Sequence, residues 1–297
     1  MVLAGGTGGA KLAAGFQALV GERLTVIANT GDDIEAYGAH VSPDPDLCLY
    51  WLAGRIDERG WGLRDDSFTV MEELHALGED VWFNLGDRDL AICIQRARRL
   101  GEGARLTEAI GELRRSLGVA ARVLPMCDEP VRTWVRTQDR WWPFQEFMIR
   151  AGGAGPVQDV AHRGADAAEP TAEVRAALEQ AEAIIVGPSN PVISIGPILA
   201  VPGVSDALRA TTAPVVAVSP LVHGAVVKGP TRPFLEWAGQ PLTSDGIAAI
   251  YADLLDGIVA DVPCAALPTL ETDVLMADAA GRLRLADETL RFAASLR

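Results

Sequence analysis

Cysteine is scarce and scattered. Cys48, Cys93, Cys127 and Cys264 stand far apart in 297 residues with no C-x-x-C pair, so the spacing of a zinc site or a dithiol redox motif is absent and the thiols read as buried and structural. No long apolar run is available either. The most apolar stretch, 184–204, is interrupted by Pro188, Pro191, Pro197 and Pro202, and no charged segment followed by an apolar core opens the sequence. Neither a membrane span nor a secretory leader is expected, and the expected compartment is cytoplasmic. His40, His75, His162 and His223 show no H-E-x-x-H spacing, and no Gly-x-Ser-x-Gly elbow occurs, which sets aside metalloprotease and α/β-hydrolase chemistry. Positive charge is in deficit: 26 basic residues face 40 acidic ones, a net charge of −14. Such a chain gains no counterion-release energy, so nucleic acid and membrane surfaces are not expected partners. Lysine is nearly missing, since Lys11 and Lys228 are the only two.

Apolar residues make up 49% of the chain and charged residues 22%, with 30 glycines, a globular composition rather than a disordered or fibrous one. The length admits two domains or one continuous α/β unit. Residues 1–4 end a short apolar strand, Gly5 to Gly9 turn the chain, 11–20 have helical spacing through Leu12, Phe16 and Leu19, and 24–28 form a second buried strand. Helical spacing recurs around 68–77, 87–100 and 106–117, a helix-rich segment of about 57–120. Segments 122–126, 131–135 and 144–148 read as hairpin strands in an excursion of about 121–165, and 151–156 as a glycine-rich loop. Alternation then resumes with a helix near 171–181, a strand at 183–186, a helix near 204–210 and a strand at 215–218. Continuous apolar strands alternating with helices predict a Rossmann-like, mostly parallel sheet with helices on both faces.

The cluster Gly5-Gly6-Thr7-Gly8-Gly9-Ala10-Lys11 places backbone N–H groups and a helix N-terminus against an anion. It is not a Walker A loop, because Ala10 stands where the second glycine belongs and Leu12 replaces the metal-binding Ser or Thr. Lys11 likewise breaks the dinucleotide fingerprint. A tight turn without a ligand is the structural alternative. Both lysines lie beside glycine-bearing turns, where a compact ammonium on a flexible stem suits phosphate. Asn29-Thr30-Gly31-Asp32-Asp33 follows the second strand, and Ser42-Pro43-Asp44-Pro45-Asp46 comes soon after. Ligands bind at the carboxyl ends of parallel strands, so Asp32 and Asp33 share a rim with the glycine turn. Two acidic loops beside a phosphate site suggest Mg²⁺, with Asp33 and Asp44 as the structural members. Asp87 either binds substrate or caps a helix. The segment 187–197 is too proline-rich for regular structure and offers Ser189, Asn190 and Ser194 on a stiff binding loop. His223 to Lys228 repeats that position after the next strand, and Trp82 can line a flat aromatic ligand.

Together these segments resemble the 2-phospho-L-lactate transferase family. The resemblance runs through Gly5-Gly-Thr-Gly-Gly-Ala-Lys11, Asn29-Thr-Gly-Asp-Asp33, Ser42-Pro-Asp-Pro-Asp46, Leu85-Gly-Asp-Arg-Asp89, Leu124-Pro-Met-Cys-Asp128, Phe144-Gln-Glu146, Gly187-Pro-Ser-Asn-Pro191, Ser194-Ile-Gly-Pro197 and Ala217-Val-Ser-Pro220. It implies one α/β unit over 1–297 and a homodimer. It further implies an Mg²⁺-dependent transferase that moves a phospholactyl, phosphoenolpyruvyl or phosphoglyceryl group from a guanosine diphosphate-linked donor. The acceptor would be the ribityl hydroxyl of the deazaflavin Fo, with release of GMP, in coenzyme F-420 biosynthesis. By that resemblance Asp32 and Asp46 hold the metal and, with Lys11, carry catalysis. Gly5, Gly6, Thr7, Gly8, Gly9, Asn29, Thr30, Asp46, Asn84, Asp87, Ser189, Asn190, Ser194 and Lys228 would bind the substrates. Relatives often carry a basic residue where this chain has Asn84, and a lysine where it has Ala225, so Lys228 supplies the ammonium of its loop. Attack of an alcohol on a diphosphate needs charge neutralised on the transferred and leaving phosphates, a task for metal, lysine and N–H groups rather than a covalent nucleophile. The alternatives are a UDP-sugar-binding regulator of a sister group, without turnover, and a dinucleotide-dependent enzyme.

Overall fold

Residues Val2–Ala4 form β1, and the chain enters a helix at once, α1 running Gly6–Val20. The glycine cluster is therefore the first turn of α1 rather than a loop before it. The structure, a computed structural model, describes residues 1–138 and 140–296. Next come β2 (Thr25–Ala28), a hairpin of β3 (Ile34–Ala36) and β4 (Ala39–Val41), and α2 (Pro43–Leu52). The acidic segment expected as a loop is thus the start of α2. Pro43 in its first turn loses no helical hydrogen bond, and Asp44 and Asp46 complement the positive end of the helix dipole. Helices α3 (Thr69–Ala76), α4 (Asp87–Gly101) and α5 (Leu106–Ser116) stand where their periodicity predicts them.

The segment after α5 departs from a pure hairpin excursion. β5 (Arg122–Pro125) pairs in parallel with β2 in the main sheet. β6 (Arg132–Thr137), β7 (Arg140–Pro143) and β8 (Val157–Arg163) form a separate antiparallel sheet in the order β7–β6–β8. Between them, residues expected as a strand are helical: α6 (Phe144–Ile149) buries Phe144 and Phe147, a spacing that shares one helix face but would split across a strand.

The remainder runs α7 (Ala172–Glu179), β9 (Ile184–Val186), a π-helical turn Pro191–Ile195, α8 (Gly196–Ala200), α9 (Val204–Ala210), β10 (Val215–Val218), β11 (Leu221–Val222), β12 (Ala225–Val226), α10 (Thr231–Trp237), α11 (Ser244–Tyr251), β13 (Gly257–Ala260), β14 (Thr269–Glu271) and α12 (Ala279–Ser295). The proline-rich segment is thus mostly helical. Asn190 caps it, its Oδ1 accepting from the N–H groups of Val192 and Ile193 at 2.9 and 3.2 Å.

Seven strands pair in parallel in the order β14–β13–β10–β9–β1–β2–β5. All residues of β1, β2, β9, β10 and β13 are buried, which explains their continuous apolar runs. Alternate side chains of β1 serve two cores: Val2 and Ala4 pack with Leu12, Phe16 and Leu49, while Leu3 packs with Val174, Leu208 and Ile247. The order reverses between β1 and β9. In open α/β sheets the crevice at the carboxyl ends beside such a reversal takes the ligand. No single helix among the described residues is long and apolar enough to cross a membrane.

Candidate active site

At the reversal the first turn of α1 meets the segment after β9. A Cβ on Gly8 would lie 2.0 Å from the Pro188 carbonyl oxygen, so only glycine lets the two backbones approach. Ser189 Oγ donates to the Gly5 carbonyl at 2.5 Å and ties the segments together. Gly5, Gly6, Thr7, Gly8, Lys11, Ser189, Asn190, Ser194 and Lys228 line one cleft of about 330 Å³. Gly9 instead packs under it, against Ala4 and Ser189. Gly6 N–H is taken by Asp44 Oδ1 at 2.7 Å, and the following N–H groups of the first turn have no helical partner. Lys11 Nζ lies 5.5 Å from the centre of the Trp51 ring, with the Arg282 guanidinium 5.0 Å from the same ring. Burial, and then the charges of Arg282 and Lys228, lower the Lys11 pKa. Lys228 Nζ donates to the Arg59 carbonyl at 3.3 Å. Neither lysine has a carboxylate partner among the described residues. Both lysines of an acidic protein thus stand at one cleft without an ion-pair partner among the described residues, beside a helix N-terminus, an arrangement that suits an anion.

Asp32 lines the same cleft yet is only 6% exposed, and its Oδ1 is buried with no hydrogen-bond partner among the described residues. Burial first, then the charge of Asp44, raises its pKa well above the carboxylate range. Asp44 is itself raised to about 6, mainly by burial. Besides Gly6, Asp44 accepts from Asn29 Nδ2 at 2.9 Å, and Asn29 Oδ1 accepts Gly31 N–H at 2.7 Å. Asn29 is therefore the scaffold behind the acidic rim, with Thr30 also buried there and neither lining the cleft. Asp33 has the structural role expected of it, accepting from Ser42 Oγ at 2.8 Å and lying 3.1 Å from His40 Nε2. Asp44 does more than its structural assignment: it couples α2 to the glycine turn and lends its charge to Asp32. Two buried, mutually repelling carboxylates, one with an orphaned oxygen, are the hard-oxygen donor set that a divalent cation relieves.

A second cavity, about 560 Å³, is lined by Asp44, Asp46, Tyr50, Arg59, Trp61, Phe68, Trp82, Phe83, Asn84 and Asp89. A small recess has Asp32 and Phe144 in common with the cleft and Trp82 and Gln145 in common with the aromatic cavity. Asp46, expected beside Asp32 at the metal, lines the aromatic cavity and not the cleft that Asp32 lines. Arg96 Nη1 and Nη2 donate to Asp46 Oδ1 and Oδ2 at 2.7 and 2.6 Å, and Arg96 is fully buried. The Asp46 carboxylate is thus paired with a buried guanidinium. Arg96 itself escaped the sequence reading, because one arginine in the charged helix α4 carries no local mark of burial. Asp87 also moves out of the site. Its carboxylate caps α3, accepting from Thr69 and Val70 N–H at 3.1 and 2.9 Å and from Ser67 Oγ at 2.7 Å, as the capping alternative required.

A lysine-bearing cleft and an aromatic cavity thus each share lining residues with one recess in a protein of Rossmann-like fold. Comparison with known proteins makes this specific: the family described as 2-phospho-L-lactate transferase CofD matches residues 1–272. A phosphoenolpyruvate transferase of Kitasatospora aureofaciens is 40% identical over 297 residues, covering 92% of each chain. A 2-phospho-L-lactate transferase of Methanococcoides burtonii is 40% identical over 263 residues, covering 88% of this chain and 85% of the other. Among solved structures, a UPF0052-family protein of Bacillus halodurans superposes with a TM-score of 0.64 at 16% identity, covering 97% of both chains, a likeness of fold. The chain belongs to the 2-phospho-L-lactate transferase family, and it is a transferase. The non-catalytic UDP-sugar-binding alternative is not favoured.

Proposed function

We propose that the chain moves a phospholactyl group, or its phosphoenolpyruvyl or phosphoglyceryl counterpart, from a guanosine diphosphate-linked donor to the ribityl hydroxyl of the deazaflavin Fo. GMP leaves, in a step of coenzyme F-420 biosynthesis. The observation that carries this reading is the recess that shares Asp32 and Phe144 with the cleft and Trp82 and Gln145 with the aromatic cavity: a charged donor in the cleft and a flat acceptor in the cavity would react across it. Lys11, Lys228 and the free N–H groups of α1 bind the diphosphate. Asp32, with Asp44 beside it, would hold Mg²⁺, which when bound neutralises charge on the phosphates. The aromatic walls seat the deazaflavin ring, and Asp46, fixed by Arg96, accepts a hydrogen bond from it. Trp82 and Gln145 at the recess bring the acceptor hydroxyl toward the cleft. A cytoplasmic homodimer belongs to the same proposal, and sedimentation tests its oligomeric state. The decisive experiment incubates the protein with Fo, Mg²⁺ and each of the three guanosine-linked donors, with mass spectrometry of the products. Transfer with release of GMP supports the reading, and binding without product from every donor overturns it.

A further inference from the structure

Asp89 stands in the first turn of α4 and lines the aromatic cavity beside Asp46. Tyr50 Oη donates to its Oδ1 at 2.6 Å, and its own N–H donates to Asp66 Oδ2 at 3.1 Å, so the side chain is held at both ends of the residue. Asp89 Oδ2 has no hydrogen-bond partner among the described residues. Single ligand atoms of Asp46, Asp89 and Cys93 all lie within 4.8 Å of one another. Two carboxylates that close, largely removed from water, share one nearby cation, and the bidentate geometry gives Arg96 to Asp46. A metal ion is disfavoured in the same place. The guanidinium already occupies it, with Arg96 Nη2 at 3.7 Å from Cys93 Sγ, and burial keeps that thiol protonated.

We propose that Asp89 is a specificity-determining residue for the acceptor: its carboxylic acid O–H donates a hydrogen bond to a ring carbonyl of the deazaflavin, while the charged Asp46 accepts from a neighbouring N–H or hydroxyl. A flavin-like ring carries carbonyl and N–H groups alternately along its pyrimidinedione edge, and one neutral plus one ionised carboxyl matches such an edge where two carboxylates would not. Burial foremost, then the charge of Asp46, raises Asp89 to about 7 against the Tyr50 hydrogen bond and the Arg96 charge, which lower it, with Asp66 adding a smaller rise; Tyr50 itself stays a neutral phenol. A ring filling the cavity removes more water and favours the protonated form further.

This inference rests on the assignment of the aromatic cavity to the acceptor, and two readouts separate the failures. Fluorescence titration with Fo at pH 6.5 and 8.5 compares wild type with Asp89→Asn, which keeps a neutral donor, and Asp89→Leu, which removes it, with calorimetric GDP binding as the control for an intact donor cleft. At pH 6.5, Asp89→Asn is expected to bind within about threefold of wild type and Asp89→Leu about tenfold more weakly. The ratio of wild-type to Asp89→Asn affinity, in which ionisation of Fo cancels, should fall as pH rises. Were Asp89→Leu unable to fold, that ratio alone would decide. Equal losses in Asp89→Asn and Asp89→Leu, a pH-invariant ratio, or unchanged Fo affinity with turnover lost in Asp89→Asn would each overturn the inference, the last by making Asp89 a base. Failure of the cavity assignment looks different: Trp82→Ala and Trp61→Ala would then leave Fo affinity at the wild-type value.

Discussion

Arg96 grips Asp46 through two hydrogen bonds of 2.7 and 2.6 Å across 50 residues of sequence, both side chains buried, and donates to the His40 carbonyl with the same guanidinium. The charge on the aromatic wall is thereby balanced from inside the scaffold. Removing one partner leaves the other unpaired, so Asp46→Asn and Arg96→Met are each expected to lose about 3–5 kcal/mol of stability. Urea unfolding of the double variant should show less than the sum of the two losses, and additivity would mean that the pair is not coupled.

Asp32→Asn should behave in the opposite way. An amide removes a buried, repelled carboxylate, so the melting temperature is expected to stay level or rise, while turnover falls on the order of 10²-fold or more if Asp32 holds Mg²⁺ as proposed. Thermal melts and steady-state assays across an Mg²⁺ series measure both, and wild-type turnover would remove Asp32 from the chemistry.

Lys11→Ala tests the division of the site between two substrates. Loss of an ammonium that stands without a carboxylate partner should weaken GDP binding by about 1.5–3 kcal/mol and leave Fo affinity nearly as it was. Calorimetry with unchanged GDP affinity would reduce the glycine turn to a packing device.

Chelation probes the same division. Donor affinity should drop steeply when the divalent cation is removed, whereas Fo, which has no phosphate before reaction, should lose less. Equal losses in paired titrations would show that the cation organises the acceptor cavity as well.

His162 makes stability depend on pH away from the site. Its Nδ1 lies 3.3 Å from Thr133 Oγ1, and burial lowers the ring to about 4. The unfolded chain titrates near the ordinary value of about 6.5 and takes the proton first, so stability is fully present above that pH and is lost as pH falls toward 4, by about 3 kcal/mol in all. In His162→Gln this part of the slope should vanish from unfolding curves measured between those limits.

Most of the scaffold was legible in sequence because it follows from local rules. Apolar runs such as 215–218 specify strands buried on both faces, helical spacing places α3 to α5 within a residue or two, and the density of glycine after β1 marks a turn that must pass close to another backbone. Where local signals were short or mixed, the reading slipped: five residues around Phe144 fit strand or helix, and prolines at helix starts disguised α2 and the turn after Asn190.

The roles of the carboxylates were another matter. Asp32, Asp44, Asp46, Asp87 and Asp89 are chemically alike in sequence, and all sit in turns or at helix starts. Residue type and order determined that a glycine turn bearing Lys11 would follow the first strand and that acidic segments would share its rim in this protein. Only the tertiary structure decided that Asp46 belongs to Arg96, that Asp87 caps α3, that Asp44 joins Asp32, and that Asp89 shares a cavity with a charged neighbour. The reason is physical: ionisation and ligand capacity depend on burial and on charges brought within a few ångströms from distant parts of the chain, and no local pattern encodes those distances.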